Sequence, residues 1–147
     1  MKLSPNFRLS EFTASATADK HGIDNSPNAE ELANLRVTAF GLECVRKTLF
    51  DEPIRIHSGF RCEELNRKVG GTDNSDHRHG FAADITVDTY KVVEVANKIA
   101  GSGIAFDQLI YEPSRGVVHI SFAPKLRNQV LTQKVGPGSP IVQGIIE

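Results

Sequence analysis

The chain reads as an α+β domain: a small, mostly antiparallel sheet with helices packed on one face. Three observations predict this. Two stretches, 26–50 and 88–101, carry apolar residues at helical spacing. Short runs rich in β-branched and aromatic residues intermix with them and gather late in the chain. At 147 residues, with 39% hydrophobic and 24% charged side chains, the length and composition suit one soluble domain with a core of its own.

Residues 3–25 are expected to form short helical turns and loops. Ser10 would cap a turn carrying Glu11 and Phe12, and Gly22 would end a second. Ser26-Pro27 is expected to open the first long helix, a cap followed by proline at the first helical position. Glu30 and Glu31 then sit where the helix dipole favours them. Leu32, Leu35, Ala39, Leu42, Val45 and Leu49 make one buried face that runs to about Phe50. Such a stripe can seat a partner helix, but core packing is its far commoner use.

Asp51-Glu52-Pro53 breaks the helix, and Ile54-Arg55-Ile56 is a short strand. Residues 62–69 read as helix, stopped by Gly70-Gly71, and Thr72-Asp73-Asn74 is loop chemistry. Asp88 or Thr89 is expected to cap a second amphipathic helix with Val92, Val95, Ala96 and Ile99 on one face, closed by Gly101. Gln108–Tyr111 and Val117–Phe122 read as strands around a Pro113–Gly116 turn. Leu126–Leu131 fits an edge strand or a short helix. From Lys134 onward glycine and proline suggest an extended tail, and Ile141, Val142, Ile145 and Ile146 imply that it docks on something. The expected division is a domain over 1–133 and a tail over 134–147, with no internal repeat or second domain.

A net charge of −1 gives no reason to expect nucleic acid or an anionic membrane as partner. No apolar run reaches membrane-spanning length. Met1–Asn6 lacks the apolar core of a signal peptide, so synthesis in the cytoplasm without general secretory export is expected, as is a monomer. Cys44 and Cys62 lack zinc-knuckle spacing and read as two reduced thiols; Cys62 stands at an expected helix start, where a thiol can be acidified.

The chemistry concentrates in Ser75-Asp76-His77-Arg78-His79-Gly80-Phe81-Ala82-Ala83-Asp84-Ile85, read as a loop entering a strand. His77 and Asp84 are too far apart in sequence to stack one helical turn apart. A loop followed by a strand can still bring them to one point, with Gly80 allowing the bend and small alanines allowing close approach. Imidazole nitrogen and carboxylate oxygen are natural zinc ligands. His77 and His79 could also chelate together on a strand, where i and i+2 share a face.

The pattern Ser-x-His-x-x-Gly-x-Ala-x-Asp at Ser75, His77, Gly80, Ala82 and Asp84 resembles the signature of the M15 peptidases, zinc D-Ala-D-Ala carboxypeptidases and L-Ala-D-Glu endopeptidases of the hedgehog/DD-peptidase fold. Ser58-Gly59-Phe60-Arg61 and Val118-His119-Ile120-Ser121-Phe122 are similar to further stretches of that family. Leu9-Ser10-Glu11-Phe12 and Gly22-Ile23-Asp24-Asn25 resemble its small single-domain branch, seen in phage lysins and prophages.

The resemblance implies the same α+β fold, one zinc ion, and His77, Asp84 and His119 as its ligands. Alone, a histidine among apolar neighbours is more often buried against a carbonyl; the family's last ligand corresponds to His119. His79 is then left as a rim or supporting residue, and His21 and His57 as surface or packing histidines. The family's arginine at Arg61 binds a substrate carboxylate or carbonyl, which the planar guanidinium suits. Ser75 is expected to orient a ligand or touch substrate. Asp76 defaults to a solvated loop carboxylate.

Family members often place the general base three positions before the last histidine, which here is Gly116. Register offers Glu112 instead. If Glu112 pairs with Val117 across the turn, Ile110 pairs with His119 and Gln108 with Ser121, so Glu112 shares the face of His119. A slip of one residue would substitute Tyr111. Asp107 is the reserve base, on the other face of a regular strand. The implied activity is hydrolysis of peptide bonds in peptidoglycan stem peptides, by a phage or prophage lysin that reaches the wall on release or as part of a virion. The alternatives are an inactive wall-binding or virion structural module and a zinc hydrolase for another small peptide.

Overall fold

A computed structural model describes residues 1–135 and 141–146. The chain opens with a small hairpin that the sequence did not announce, β1 (Lys2–Ser4) and β2 (Phe7–Arg8), followed by α1 (Leu9–Thr13) and α2 (Ala16–His21). Ser10 lies inside α1 rather than capping it. Ser15 caps α2, its Oγ accepting from the Ala18 N–H at 3.1 Å, and Gly22 ends it in the left-handed region at φ +64°.

The long helix α3 (Ala29–Thr48) starts later than Ser26-Pro27 suggests. Asn28 is the cap: its side chain accepts from the Glu31 N–H at 2.8 Å, and the Glu31 carboxylate accepts from the Asn28 N–H at 2.9 Å. This reciprocal box satisfies two donors at once, so it wins over a serine–proline start. Ser26 turns back instead, its Oγ donating to Asp24 at 2.6 Å. Leu35, Ala39, Leu42 and Val45 are fully buried, as the stripe requires.

There follow β3 (Arg55–Ser58), α4 (Glu63–Lys68), α5 (Asp76–His79), β4 (Ala82–Thr86), α6 (Val92–Ala100), β5 (Gln108–Glu112), β6 (Val117–Ser121), β7 (Gln129–Thr132) and β8 (Val142–Gln143). The central stretch thus contains one helical turn, α5, where a loop was expected. Its Gly80 sits at φ +85°, and an added Cβ would stand 2.9 Å from the Glu31 carbonyl of α3. Neither Asp88 nor Thr89 caps α6; Lys91 holds the cap position, its N–H donating to Glu94 at 2.9 Å, while Asp88 pairs with Arg55 at 2.8 Å.

Among the described residues the main sheet runs β3-β4-β6-β5-β7-β8, antiparallel throughout except for the parallel β5–β7 pair. β7 resolves the ambiguity at Leu126–Leu131, and it is an interior strand rather than an edge. Part of the tail docks: β8 pairs with β7, the Gly144 N–H donates to the Val130 carbonyl at 2.8 Å, and Ile145 packs against the core. The rest of the expected tail, 136–140 and 147, lies outside the described residues.

Side chains alternate across β4, β6 and β5. Ala83, Ile85, Val118, Ile120 and Leu109 join one apolar core with α3 and α6. Asp84, His119, Ile110, Glu112 and Gln108 take the other face. Helices were expected on one face only; α4 and α5 instead flank a cleft on the second.

Candidate metal centre and cleft

Strand pairing builds the site. Asp84 on β4 lies directly opposite His119 on β6, and His119 lies opposite Ile110 on β5. The predicted register holds: Glu112 pairs with Val117 and Gln108 with Ser121. The turn between them closes with the Gly116 N–H donating to the Glu112 carbonyl at 2.9 Å. Gly116 itself is at φ +66°, a conformation unfavourable to a glutamate there.

His77 arrives from α5. Ser75 caps that turn, its Oγ accepting from the His77 N–H at 3.3 Å. The His77 Nδ1 lies 2.7 Å from the Gly59 carbonyl, which can only accept. Nδ1 therefore carries the proton and Nε2 is left with its lone pair. Gly59 has no room for a side chain: an added Cβ would stand 2.7 Å from the Phe12 carbonyl.

His77, Asp84 and His119 each offer a ligand atom, all within 4.8 Å of one another. His77 Nε2 lies 3.3 Å and His119 Nδ1 3.0 Å from Asp84 Oδ1. Two atoms each bound to zinc at about 2.0–2.1 Å in tetrahedral geometry lie roughly 3.3 Å apart. Burial pushes the His77 imidazole below its ordinary range despite Asp84. Burial also opposes ionisation of Asp84, but His77 and His119 beside it outweigh that and hold its carboxyl well below the usual range. With its Nδ1 proton donated to the Gly59 carbonyl, His77 turns Nε2 toward Asp84 Oδ1 at a spacing that suits two ligands of one ion. The donor set therefore fits a metal ion. His119 is shifted upward: burial works against its charge, but the Asp84 hydrogen bond and the nearby Asp84, Glu112 and Asp76 charges together outweigh it.

His77 and His119 line a cleft of about 990 Å³, with Asp84 fully buried beside them, and the lining also includes Arg61, Ser75, Asp76, Gln108, Glu112 and Arg115. Arg61 Nη2 reaches Ser75 Oγ at 3.4 Å, and its Nε is buried without a hydrogen-bond partner. Burial lowers the Arg61 pKa, though Asp84 opposes the shift. Asp76 is not a solvated loop carboxylate: Ser121 Oγ, from a fully buried residue, donates to it at 2.6 Å. His79 is exposed outside the cluster, with its carbonyl held by Asn34 at 2.9 Å. His21 is exposed, and His57 sits on the cleft rim within 2.7 Å of Thr86 Oγ1. Asp107 is buried and does not line the cleft; Arg127, which does, engages it at 2.9 Å. Cys44 and Cys62 are free thiols, and Cys62 stands at the start of α4.

Sequence reasoning missed Arg115. Its Nη2 donates to Asp84 Oδ2 at 3.1 Å, and its Nη1 lies 3.1 and 3.3 Å from the two Glu112 oxygens. In sequence it is one polar residue in a four-residue turn, with no motif to distinguish it.

A family profile described as Peptidase M15 matches residues 5–121. The zinc D-Ala-D-Ala carboxypeptidase of Streptomyces albus G is 32% identical over 108 residues, 74% of this chain and 32% of that protein. The chain therefore matches about a third of that relative's length. Among the described residues no helix is long and apolar enough to cross a membrane.

Proposed function

Because the chain belongs to the peptidase M15 family, we propose that it is a zinc peptidase cleaving peptide bonds in bacterial peptidoglycan stem peptides. The observation that carries the reading is the buried His77–Asp84–His119 cluster bordering an open cleft. His77 through Nε2, Asp84 and His119 would hold one zinc ion. Zinc so bound supplies Lewis-acid polarisation of a carbonyl and a lowered pKa for water.

The chain's own groups do the rest. Glu112, on the face of His119 and one ladder step along, takes a proton from the attacking water and returns it to the leaving amine. Arg61, with a buried N–H unspent, binds a substrate carboxylate or carbonyl. Ser75 holds both the Arg61 guanidinium and the α5 turn that carries His77. Two bonds are candidates, D-Ala-D-Ala and L-Ala-D-Glu. The likeness of Leu9–Phe12 and Gly22–Asn25 to the small single-domain branch supports a phage or prophage lysin, acting on the wall after release or within a virion.

Incubation of the zinc-loaded protein with a defined muropeptide, followed by mass spectrometry, tests this. Release of a fragment at one stem-peptide bond, abolished by a chelator and restored by zinc, is expected. An intact muropeptide with zinc bound would refute hydrolysis and favour a wall-binding module.

A further inference from the structure

Two carboxylates with different tasks meet at one guanidinium: Asp84, fully buried, and Glu112, 6% exposed and lining the cleft. Asp84 divides its oxygens. Oδ1 faces both histidines, while Oδ2 accepts from Arg115. The other amino group of Arg115 spans both oxygens of Glu112. We propose that Arg115 is a positioning residue, a single guanidinium that sets the metal-ligand carboxylate and the general base at a fixed distance from one another. The proposal rests on the roles given above to Asp84 and Glu112.

The covalent geometry favours this. A carboxylate anchored through one oxygen cannot rotate freely, so the grip on Oδ2 keeps Oδ1 turned toward His77 and His119. Glu112 stands at the last position of β5, and its long side chain has several rotamers to choose among. The turn folds Arg115 back over it, with the Arg115 N–H donating to the Glu112 carbonyl at 3.1 Å. The guanidinium is planar and forked, so it can donate in two directions at once, whereas a lysine is a point charge.

Burial separates this contact from an ordinary surface ion pair. The Arg115 side chain is 37% exposed, but its partners are only 1% and 8% exposed. Two ionised carboxylates with little water between them repel, and a shared cation relieves that repulsion. The arrangement also divides labour between two cleft arginines. Arg115 has both amino groups engaged by protein, while Arg61 keeps a buried N–H unpaired and available to substrate.

The test compares Arg115→Gln and Arg115→Lys with the unaltered protein. The readouts are zinc affinity by chelator competition and the separate values of kcat and KM, all measured well below the melting temperature of each variant. Arg115→Gln should weaken zinc binding by about 10- to 100-fold, the scale on which partners of metal ligands act. It should lower kcat by a similar factor with KM nearly unchanged. Arg115→Lys should recover much of the zinc affinity but little of kcat, because it can hold only one carboxylate. Unchanged zinc affinity and kcat in Arg115→Gln would overturn the proposal, as would tighter zinc binding. A rise in KM with kcat preserved would make Arg115 a substrate contact instead. If the unaltered protein binds zinc but cuts nothing, the peptidase reading fails, and the zinc affinities alone still decide whether Arg115 positions Asp84.

Discussion

The two faces of strands β4, β6 and β5 are made from alternate residues of the same strands, yet they do opposite things. Ala83, Ile85, Val118, Ile120 and Leu109 meet α3 and α6 and are fully buried. On the other face stand Asp84, His119, Ile110 and Glu112, of which His119, Ile110 and Glu112 line the cleft. The apolar face supplies hydrophobic stabilisation at roughly 25 cal/mol per Å². The polar face is costly, since Asp84 is a fully buried carboxylate that must be ionised to serve. The difference teaches that the helix-covered face carries the stability that lets the other face hold a buried carboxylate beside two imidazoles. Substitutions on the two faces should therefore separate cleanly into losses of metal and rate and losses of stability.

The largest effect is expected at the ligands. His77→Ala should leave the protein with little zinc by elemental analysis; full zinc content would move the assignment to His79. On the opposite face, Ile120→Ala should cost about 2–5 kcal/mol in denaturant unfolding, with zinc retained by the folded fraction. Loss of zinc from folded Ile120→Ala would break the separation between the faces. Glu112→Gln should keep zinc and fold but lower kcat by ~10²-fold or more. Near-normal hydrolysis by zinc-loaded Glu112→Gln would place the base elsewhere. Arg61→Ala should weaken turnover with zinc content and melting temperature nearly unchanged; a large drop in melting temperature would show that Arg61 holds the fold.

The apolar face was legible because its signals are periodic. The α3 stripe and the alternation of β5 and β6 survive small errors in boundaries, and the register of the hairpin followed from its four-residue turn. The His77–Asp84–His119 cluster was legible through motif resemblance. What escaped was short or non-local. The α5 turn, Asp76–His79, is a single turn, far shorter than the stretch over which helical periodicity can be read. The parallel partner of β5 is set by long-range pairing that no local pattern encodes. Arg115 acts through two residues from different strands, and its type alone reads as surface. The Asn28–Glu31 box, by contrast, was present as Asn-x-x-Glu and was outweighed by Ser26-Pro27.

The smallest expected effect lies at the edge between the two faces, at Asp107. This carboxylate precedes Gln108 of the cleft face but does not itself line the cleft; the side chain of Arg127, which does, donates to both its oxygens at 2.9 Å, and the Arg127 N–H donates to one at 3.1 Å. Its own N–H and carbonyl join the Ser121 carbonyl and the Gln129 N–H, so it ties β5 to β6 and to the start of β7. Hydrogen bonds from Arg127 hold its pKa below the ordinary carboxylate value, outweighing the opposing effect of burial. A folded-state pKa lowered in this way contributes stability above the unfolded value near 3.9, and that contribution is lost as pH falls through the folded value. Asp107→Asn should thus lower the melting temperature at pH 7 by less than Ile120→Ala does, with zinc content and kcat nearly unchanged. The gap between variant and unaltered protein should narrow progressively below about pH 4. A gap that stays constant through acid would show that packing, not charge, is what Asp107 contributes. A large fall in kcat at neutral pH would instead promote Asp107 from a tie between strands to the reserve base.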